Sequence, residues 1–230
     1  MKSGKLLIGF APLGYSADIS LHLIKALSTV DIIAAEDTRR LQNLIKLCGI
    51  QLSGKLVSFF SQNEKNRTLY LIKAIESGSN VLIISDSGLP ILNDPGYYLI
   101  KSCIKYNIQI ICLPGPSAIT TALIISGLPV NRFCFEGFAP RKQADRVNWF
   151  KKLSFETRTI VFFESPRRLN RTLNDATHIL SPYRRVVICR EMTKIYEEVN
   201  RGSLGDLVLW SNKDILGEIT IVISGKTNFV

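Results

Sequence analysis

The chain has 230 residues, 46% of them hydrophobic, with five cysteines, two histidines and a formal net charge of +10. That length supports one large domain or two small ones with a sizeable core, and no apolar run reaches the roughly 18 residues a membrane-spanning helix needs. No two cysteines form a CxxC pair, and His22 and His178 both fall in helical patterns, so the counts argue against a disulfide framework, a zinc site or a histidine-based triad. Cys48, Cys103, Cys112, Cys134 and Cys189 read as free thiols of a reducing cytosol. Met1 to Lys5 leads directly into a strand pattern without a signal-peptide core, so a cytoplasmic protein without membrane association is expected. The positive charge permits an acidic partner such as nucleic acid without requiring one.

In chain order, Lys5 to Ala11 reads as the first strand, followed by the loop Pro12 to Ser16. Asp18 or Ser16 is placed to cap a helix carrying Leu21, Ile24 and Leu27. Asp31 to Ala35 is a second strand, ending in Glu36-Asp37-Thr38-Arg39-Arg40; the next helix runs to about Cys48, with Gly49 suited to its end. A short strand over Leu56 to Phe60 precedes a helix that opens at Ser61 to Glu64 and closes near Gly78. Val81 to Ile84 is an unbroken β-branched and apolar run, the pattern of a strand buried on both faces of a parallel sheet. It breaks into Ser85-Asp86-Ser87-Gly88-Leu89-Pro90, where Gly88 admits close approach of a ligand to the main chain and Asp86 accepts hydrogen bonds. An ordinary strand-to-helix turn uses the same residue types. A helix over Tyr97 to Tyr106, a strand over Ile108 to Leu113 and a helix over Ala118 to Ser126 complete this half. The alternation predicts a parallel sheet covered by helices.

The second half reads as strands over Phe133 to Gly137, Thr159 to Phe163, Arg185 to Arg190, Val199 to Arg201 and Ile219 to Ser224. A basic helix is expected over Pro140 to Lys152, another after Pro166, and a third capped by Ser203. The fold class is therefore α/β, with an N-terminal α/β domain over 1–115 and a C-terminal α/β domain with a mixed sheet over 116–230. Five strand ends carry polar or Gly/Pro loops, and such loops gathered at one sheet edge imply a ligand site. There is no GxGxxG, Walker A or GxSxG sequence.

Taken in order, the loops resemble a known family. Pro12-Leu13-Gly14 with Asp18-Ile19-Ser20, Ala34-Ala35-Glu36-Asp37-Thr38-Arg39, Ser85 to Pro90 with Asp94-Pro95-Gly96, and Leu113 to Ala118 are similar to motifs of the bacterial 16S rRNA (cytidine-2′-O)-methyltransferases, members of the tetrapyrrole (class III) methylase superfamily. Phe135 to Phe138 with Pro140-Arg141-Lys142, Phe163 to Pro166, Arg190 to Lys194 and Gly217-Glu218-Ile219 continue the match over almost the whole chain. Tyr15, Ser87 and Leu89 depart from the family's usual residues, and Ser58 to Glu64 lacks the histidine its members carry there. The C-terminal extension of longer members is expected to be absent.

The resemblance implies a homodimer that binds S-adenosylmethionine between two α/β domains and acts on 16S rRNA of the small ribosomal subunit. It implies a cofactor lining of Leu13, Gly14, Asp86, Ser87, Gly88, Leu89, Leu92, Ser117, Ala118, Phe163, Glu164, Met192 and Gly217. Several of these also have an ordinary reading: Leu92, Phe163 and Met192 as core, Gly14 and Gly217 as turns. For the transfer step, Glu36 and Asp37 are candidate bases and Arg39 a phosphate contact, with Glu64 a second-choice base. Asp37 as a helix cap and Glu36 as a partner of Arg39 or Arg40 is the competing account. Nine basic residues between Arg141 and Arg171 face only Asp145, Glu156 and Glu164, and Arg141, Lys142 and Arg146 near Trp149 and Phe150 are expected to touch RNA phosphates. A small-molecule tetrapyrrole methylase and a non-catalytic RNA-binding assembly factor are the alternative functions.

Overall fold

The computed structural model describes residues 3–226; Met1 and Lys2, part of the N-terminal stretch read above, lie outside the described residues. The chain divides after Ser117 into two compact units.

The first unit alternates strand and helix: β1 (Lys5–Gly9), α1 (Leu21–Leu27), β2 (Ile32–Ala35), α2 (Thr38–Cys48), β3 (Lys55–Ser58), α3 (Glu64–Glu76), β4 (Val81–Ile84), α4 (Tyr97–Lys105) and β5 (Gln109–Leu113). All pairings are parallel, in the order β3-β2-β4-β1-β5. The central strands β2 and β4 are buried along their whole length, as their unbroken apolar runs require. One face packs Leu7, Ile33, Leu82 and Ile84 against Leu23 and Leu27 of α1 and Leu41 of α2. The other packs Leu6, Ile8, Ile32, Val81 and Ile83 against Leu71 and Ile75 of α3 and Leu99 and Cys103 of α4. The unit is thus doubly wound. From β1 the chain moves toward β2 and β3, and from β4 it moves to β5 on the opposite side. The carboxyl ends of β1 and β4 therefore flank a topological switch point, where ligands bind in open α/β sheets.

Helix ends follow local chemistry. Asp37 caps α2 by accepting from the Arg39 amide at 2.9 Å, and Gly49 ends the helix at φ +64°. Neither Asp18 nor Ser16 caps α1: Ser16–Asp18 forms a short 3₁₀ turn, and the cap is Ser20, whose Oγ accepts from the Leu23 amide at 3.1 Å. Ser20 stands immediately before the first helical residue, the position a cap must occupy.

The second unit contains α5 (Ala118–Ser126), β6 (Phe133–Phe138), α6 (Gln143–Leu153), β7 (Thr159–Glu164), a 3₁₀ turn (Pro166–Arg168), α7 (Leu169–Leu180), β8 (Arg185–Arg190), β9 (Glu198–Ser203), α8 (Leu204–Trp210) and β10 (Ile219–Ile223). Its sheet runs β6-β7-β10-β8-β9, with β6 and β7 parallel and the remaining pairs antiparallel. Phe150, Phe162, Leu173, Ile188, Leu204 and Ile221 build the core under α6, α7 and α8. Burying each such side chain contributes about 1.5–3 kcal/mol. The opposite face packs Val161, Val187 and Val222 against Ile119 and Leu123 of α5.

The expected RNA face of α6 is corrected here. The Arg146 side chain is buried, pairs with Asp175 at 2.6 Å and donates through Nη1 to the carbonyls of Pro140 and Arg141 at 3.2 Å. Phe150 is fully buried, and Trp149 packs on the same core with its Nε1 donating to Glu136 at 3.1 Å. Arg141 and Lys142 are exposed. α6 turns a guanidinium inward because Asp175, on α7, is there to meet it.

Candidate functional site

In the first unit, four loops leave the carboxyl edge of the parallel sheet. Those after β1 and β4 are stitched together: Ala11 and Gly88 exchange two main-chain hydrogen bonds of 2.9 and 3.0 Å, and Ser87 Oγ donates to the Leu13 carbonyl at 3.2 Å. Ser85 Oγ donates back to the carbonyls of Ser87 and Gly88 at 3.3 and 3.2 Å. Gly88 sits at φ +67°, and a Cβ there would lie 3.1 Å from Leu13 Cδ2. The positive φ calls for glycine, and a Cβ would press closely on Leu13. Among the described residues, the amides of Ser87 and Leu89 meet no protein acceptor. Leu13 is buried, Leu89 half-buried, and Gly14 and Leu92 exposed.

The loop after β2 joins this edge. The Asp37 amide donates to Asp86 Oδ1 at 2.8 Å, and Arg40 Nε lies 3.5 Å from Asp86 Oδ2. Glu36 is half-buried beside them. Burial raises its pKa, and the Asp86 carboxylate raises it further. Asp94, in the same β4 loop, is pushed up to about 7, chiefly by burial and then by Glu36 and Asp86. Like charges gathered in a partly dry site resist joint ionisation. Asp37 differs: Arg39 grips both its oxygens, at 3.1 and 2.8 Å, and holds it down at about 2. Of the residues expected to act on the substrate, Glu36 faces the β4 loop, while Asp37 and Arg39 form an exposed pair at the start of α2. In the sequence Asp94 stands out only as part of Asp94-Pro95-Gly96, the second acid of the loop after Asp86. Glu64 does not join this carboxylate group: its Oε1 accepts from the amides of Gly96 and Tyr98 at 2.9 and 3.0 Å. Ser117 is the half-buried last residue of the unit.

In the second unit, register gathers a second set. Ile219 pairs with both Glu164 and Arg190, so the end of β7, the end of β8 and the start of β10 meet at one sheet edge. Phe163, Met192 and Ala118 pack in one cluster, with the Phe163 ring 5.0 Å from Phe135 and 5.4 Å from Phe138. Gly217 has φ +97°, and a Cβ would fall 2.5 Å from the Glu191 carboxyl carbon. That carboxylate accepts from the Glu218 amide at 2.8 Å and pairs with Lys194 at 3.0 Å. The Glu164 side chain is fully buried, with Arg168 at 2.5 Å, Thr172 Oγ1 at 2.5 Å and the Ser165 amide at 2.6 Å. Both of its oxygens are engaged. Among the described residues no group of three or more His, Cys, Asp or Glu has the geometry of a metal site, and no helix is long and apolar enough to cross a membrane.

Known proteins are similar to this chain. A family model described as tetrapyrrole (corrin/porphyrin) methylases matches residues 7–208. Curated proteins called ribosomal RNA small subunit methyltransferase I are similar throughout. That of Mycobacterium tuberculosis (strain CDC 1551 / Oshkosh) is 53% identical over 98% of this chain and 79% of its own length. That of Thermotoga maritima is 43% identical over 97% and 99%, and that of Escherichia coli O157:H7 38% over 96% and 78%. Among solved structures, the methyltransferase CobJ superposes with a TM-score of 0.73 at 16% identity, over 97% of this chain and 95% of its own. A uroporphyrin-III-C-methyltransferase from Thermus thermophilus gives 0.68 at 18%, over 95% and 94%. At those identities the two structures speak for the fold alone. The switch-point edge, the second sheet and the full-length relatives agree: the chain belongs to the tetrapyrrole (corrin/porphyrin) methylase family, among the relatives named ribosomal RNA small subunit methyltransferase I.

Proposed function

We propose that the protein is an S-adenosylmethionine-dependent rRNA methyltransferase that modifies the ribose 2′-hydroxyl of a cytidine in the small-subunit RNA. The observation that carries this reading is the carboxylate group Glu36, Asp86 and Asp94 beside the Gly88 loop at the switch point, in a chain whose full-length relatives bear an rRNA methyltransferase name. The residues present fit the cofactor: the open amides of Ser87 and Leu89 suit its polar ends, Leu13 and the missing Cβ of Gly88 suit a flat apolar surface, and the carboxylates suit its positive sulfonium. Gly14, Leu92 and Ser117 in the first unit, and Phe163, Glu164, Met192, Ala118 and Gly217 in the second, are the further cofactor contacts that the family resemblance suggests. When bound, the cofactor would supply a sulfonium methyl group, whose carbon would pass to an aligned hydroxyl oxygen as its bond to sulfur breaks and a neutral thioether leaves in line.

The chain's own residues then divide the work. Glu36, raised by burial and by Asp86, takes up the hydroxyl proton, and Asp94, raised by burial and by Glu36 and Asp86, is the carboxyl beside it. Asp37 orients Arg39, which stands exposed for an RNA phosphate. A homodimer is part of the proposal; light scattering at micromolar concentration that finds only the 25.8 kDa monomer removes it. Tritiated methyl transfer to small ribosomal subunits, compared with free tetrapyrroles, tests the reaction. Label in the RNA that survives alkaline hydrolysis as a 2′-O-methylated cytidine dinucleotide is expected. Label in the tetrapyrrole, or on a base, overturns the reading.

A further inference from the structure

Glu64 opens α3 but serves a different helix. Its Oε1 accepts hydrogen bonds from the amides of Gly96 and Tyr98, at 2.9 and 3.0 Å, and these begin α4. The capping position of α4 is Gly96, which has no side chain to close its own helix. Resting on the proposed function above, we infer that Glu64 is a positioning residue for methyl transfer: from outside the loop, it fixes the far end of residues 85–96 and with it Asp94.

The loop needs such a hold. Gly88, Ile91, Asn93 and Gly96 lie at φ of +67°, +79°, +69° and +134°. L-residues avoid this region, a β-branched isoleucine especially, and such backbone persists only where its surroundings enforce it. The fold is tight: a Cβ on Gly96 would lie 2.6 Å from Ile91 Cγ1 and 3.0 Å from Ile83 Cδ1. The near end is held by the paired Ala11 and Gly88 and by Ser87 on Leu13. At the far end, among the described residues, the side-chain hydrogen bonds that reach in from another element both go to Glu64. Asp94 lies between those two anchors, two residues before Gly96. A carboxylate at a helix N-terminus also opposes the positive end of the helix dipole, which strengthens the hold. The segment before Glu64 is anchored in turn. Asn63 Oδ1 accepts from the Phe60 amide at 2.9 Å, and Asn63 Nδ2 donates to the Ser58 carbonyl at 3.3 Å, so the start of α3 is itself fixed to β3.

Four proteins decide the matter: wild type, Glu64→Ala, Glu64→Gln and Glu64→Asp. Hydrogen exchange is read on each protein without ligand, and steady-state transfer to small ribosomal subunits is read against S-adenosylmethionine concentration. In Glu64→Ala, exchange at Gly96 and Tyr98 rises at least about tenfold while β1 and β4 keep their protection. Its kcat/KM for S-adenosylmethionine falls about 10–100-fold, the scale of a small misplacement of reacting groups. Glu64→Gln keeps an acceptor of the same length and recovers most of both; Glu64→Asp, one methylene short, recovers little. Unchanged exchange at those two amides overturns the inference, as does faster exchange with unaltered kinetics, or a uniform loss of protection across the first unit. If Glu64→Ala does not fold, equal kinetics in the Gln and Asp variants overturn it. Absence of methyl transfer by the wild type would instead remove the proposed function, and the exchange arm would still show whether Glu64 holds the loop.

Discussion

At the scale of single residues, environment separates side chains that look alike in sequence. Glu36 and Asp37 are adjacent acids in one motif, yet one is raised by burial and like charge and the other is held at about 2 by Arg39. Glu36→Gln is therefore expected to slow single-turnover transfer about 10²–10⁴-fold at saturating cofactor. Asp37→Asn, which keeps a good cap, should retain nearly the wild-type rate. Wild-type rates for both variants would mean transfer by alignment alone or by a different base. Asp94 gives a pH signature. Its folded pKa of about 7 lies above the ordinary 3.8, so the folded state binds the proton more tightly than the unfolded chain. The sign follows: stability falls as pH rises from about 4 through 7. Asp94→Asn should melt above wild type at pH 8 and close to it at pH 4, and the reverse order would show that Asp94 is not desolvated. The sequence exposes Glu36 and Asp94 as residues but not the difference between them and ordinary surface acids. That difference comes from neighbours on the β2 and β4 loops, brought together by the sheet rather than by chain proximity.

At the scale of elements, strands and helices are legible wherever one periodicity dominates. Val81 to Ile84 and Ile219 to Ile223 are uninterrupted apolar runs, and Ser203 with Asp206 forms a local capping box. Ser20 is hard to pick out as a cap because Ser16 and Asp18 offer equivalent side chains a few residues earlier, and only the 3₁₀ turn decides between them. α6 misleads for a different reason. Its basic residues suggest a solvent face, but the Arg146 partner Asp175 is on α7 and invisible to local pattern. Removing one member of such a buried pair leaves an uncompensated charge. Arg146→Ala should lower the unfolding free energy by about 3–5 kcal/mol in urea titration while leaving the salt dependence of RNA binding unchanged. A wild-type unfolding midpoint combined with weaker RNA binding would return Arg146 to the surface role the sequence suggests.

At the scale of the whole molecule, the net charge of +10 frames how RNA would be held. Arg141 and Lys142, just ahead of α6, are exposed where Arg146 is buried. Replacing both with alanine is expected to reduce the slope of log affinity against log salt by about 1.4–1.8, the contribution of two phosphate contacts to single- or double-stranded targets. Filter binding across about 50–200 mM salt reads this directly, and an unaltered slope would place the RNA elsewhere. The α/β class and both sheets are readable from strand patterns. The strand order is not, because parallel neighbours are chosen by crossover connections rather than by adjacency in sequence.

That strand order has a consequence during synthesis. β1 is the first strand to be made, yet its partners are β4 and β5; neither β2 nor β3 pairs with it. At about 5–20 residues/s of translation, Lys5–Gly9 emerges long before Val81–Ile84 and waits as an unpaired apolar edge. β2 and β3 can pair meanwhile, but the switch point between β1 and β4 does not exist until the β4 loop has left the ribosome. Nascent chains arrested before Val81 should bind holdase chaperones and be digested readily by protease, and chains arrested beyond Leu113, with the exit tunnel cleared, should gain protection in one step.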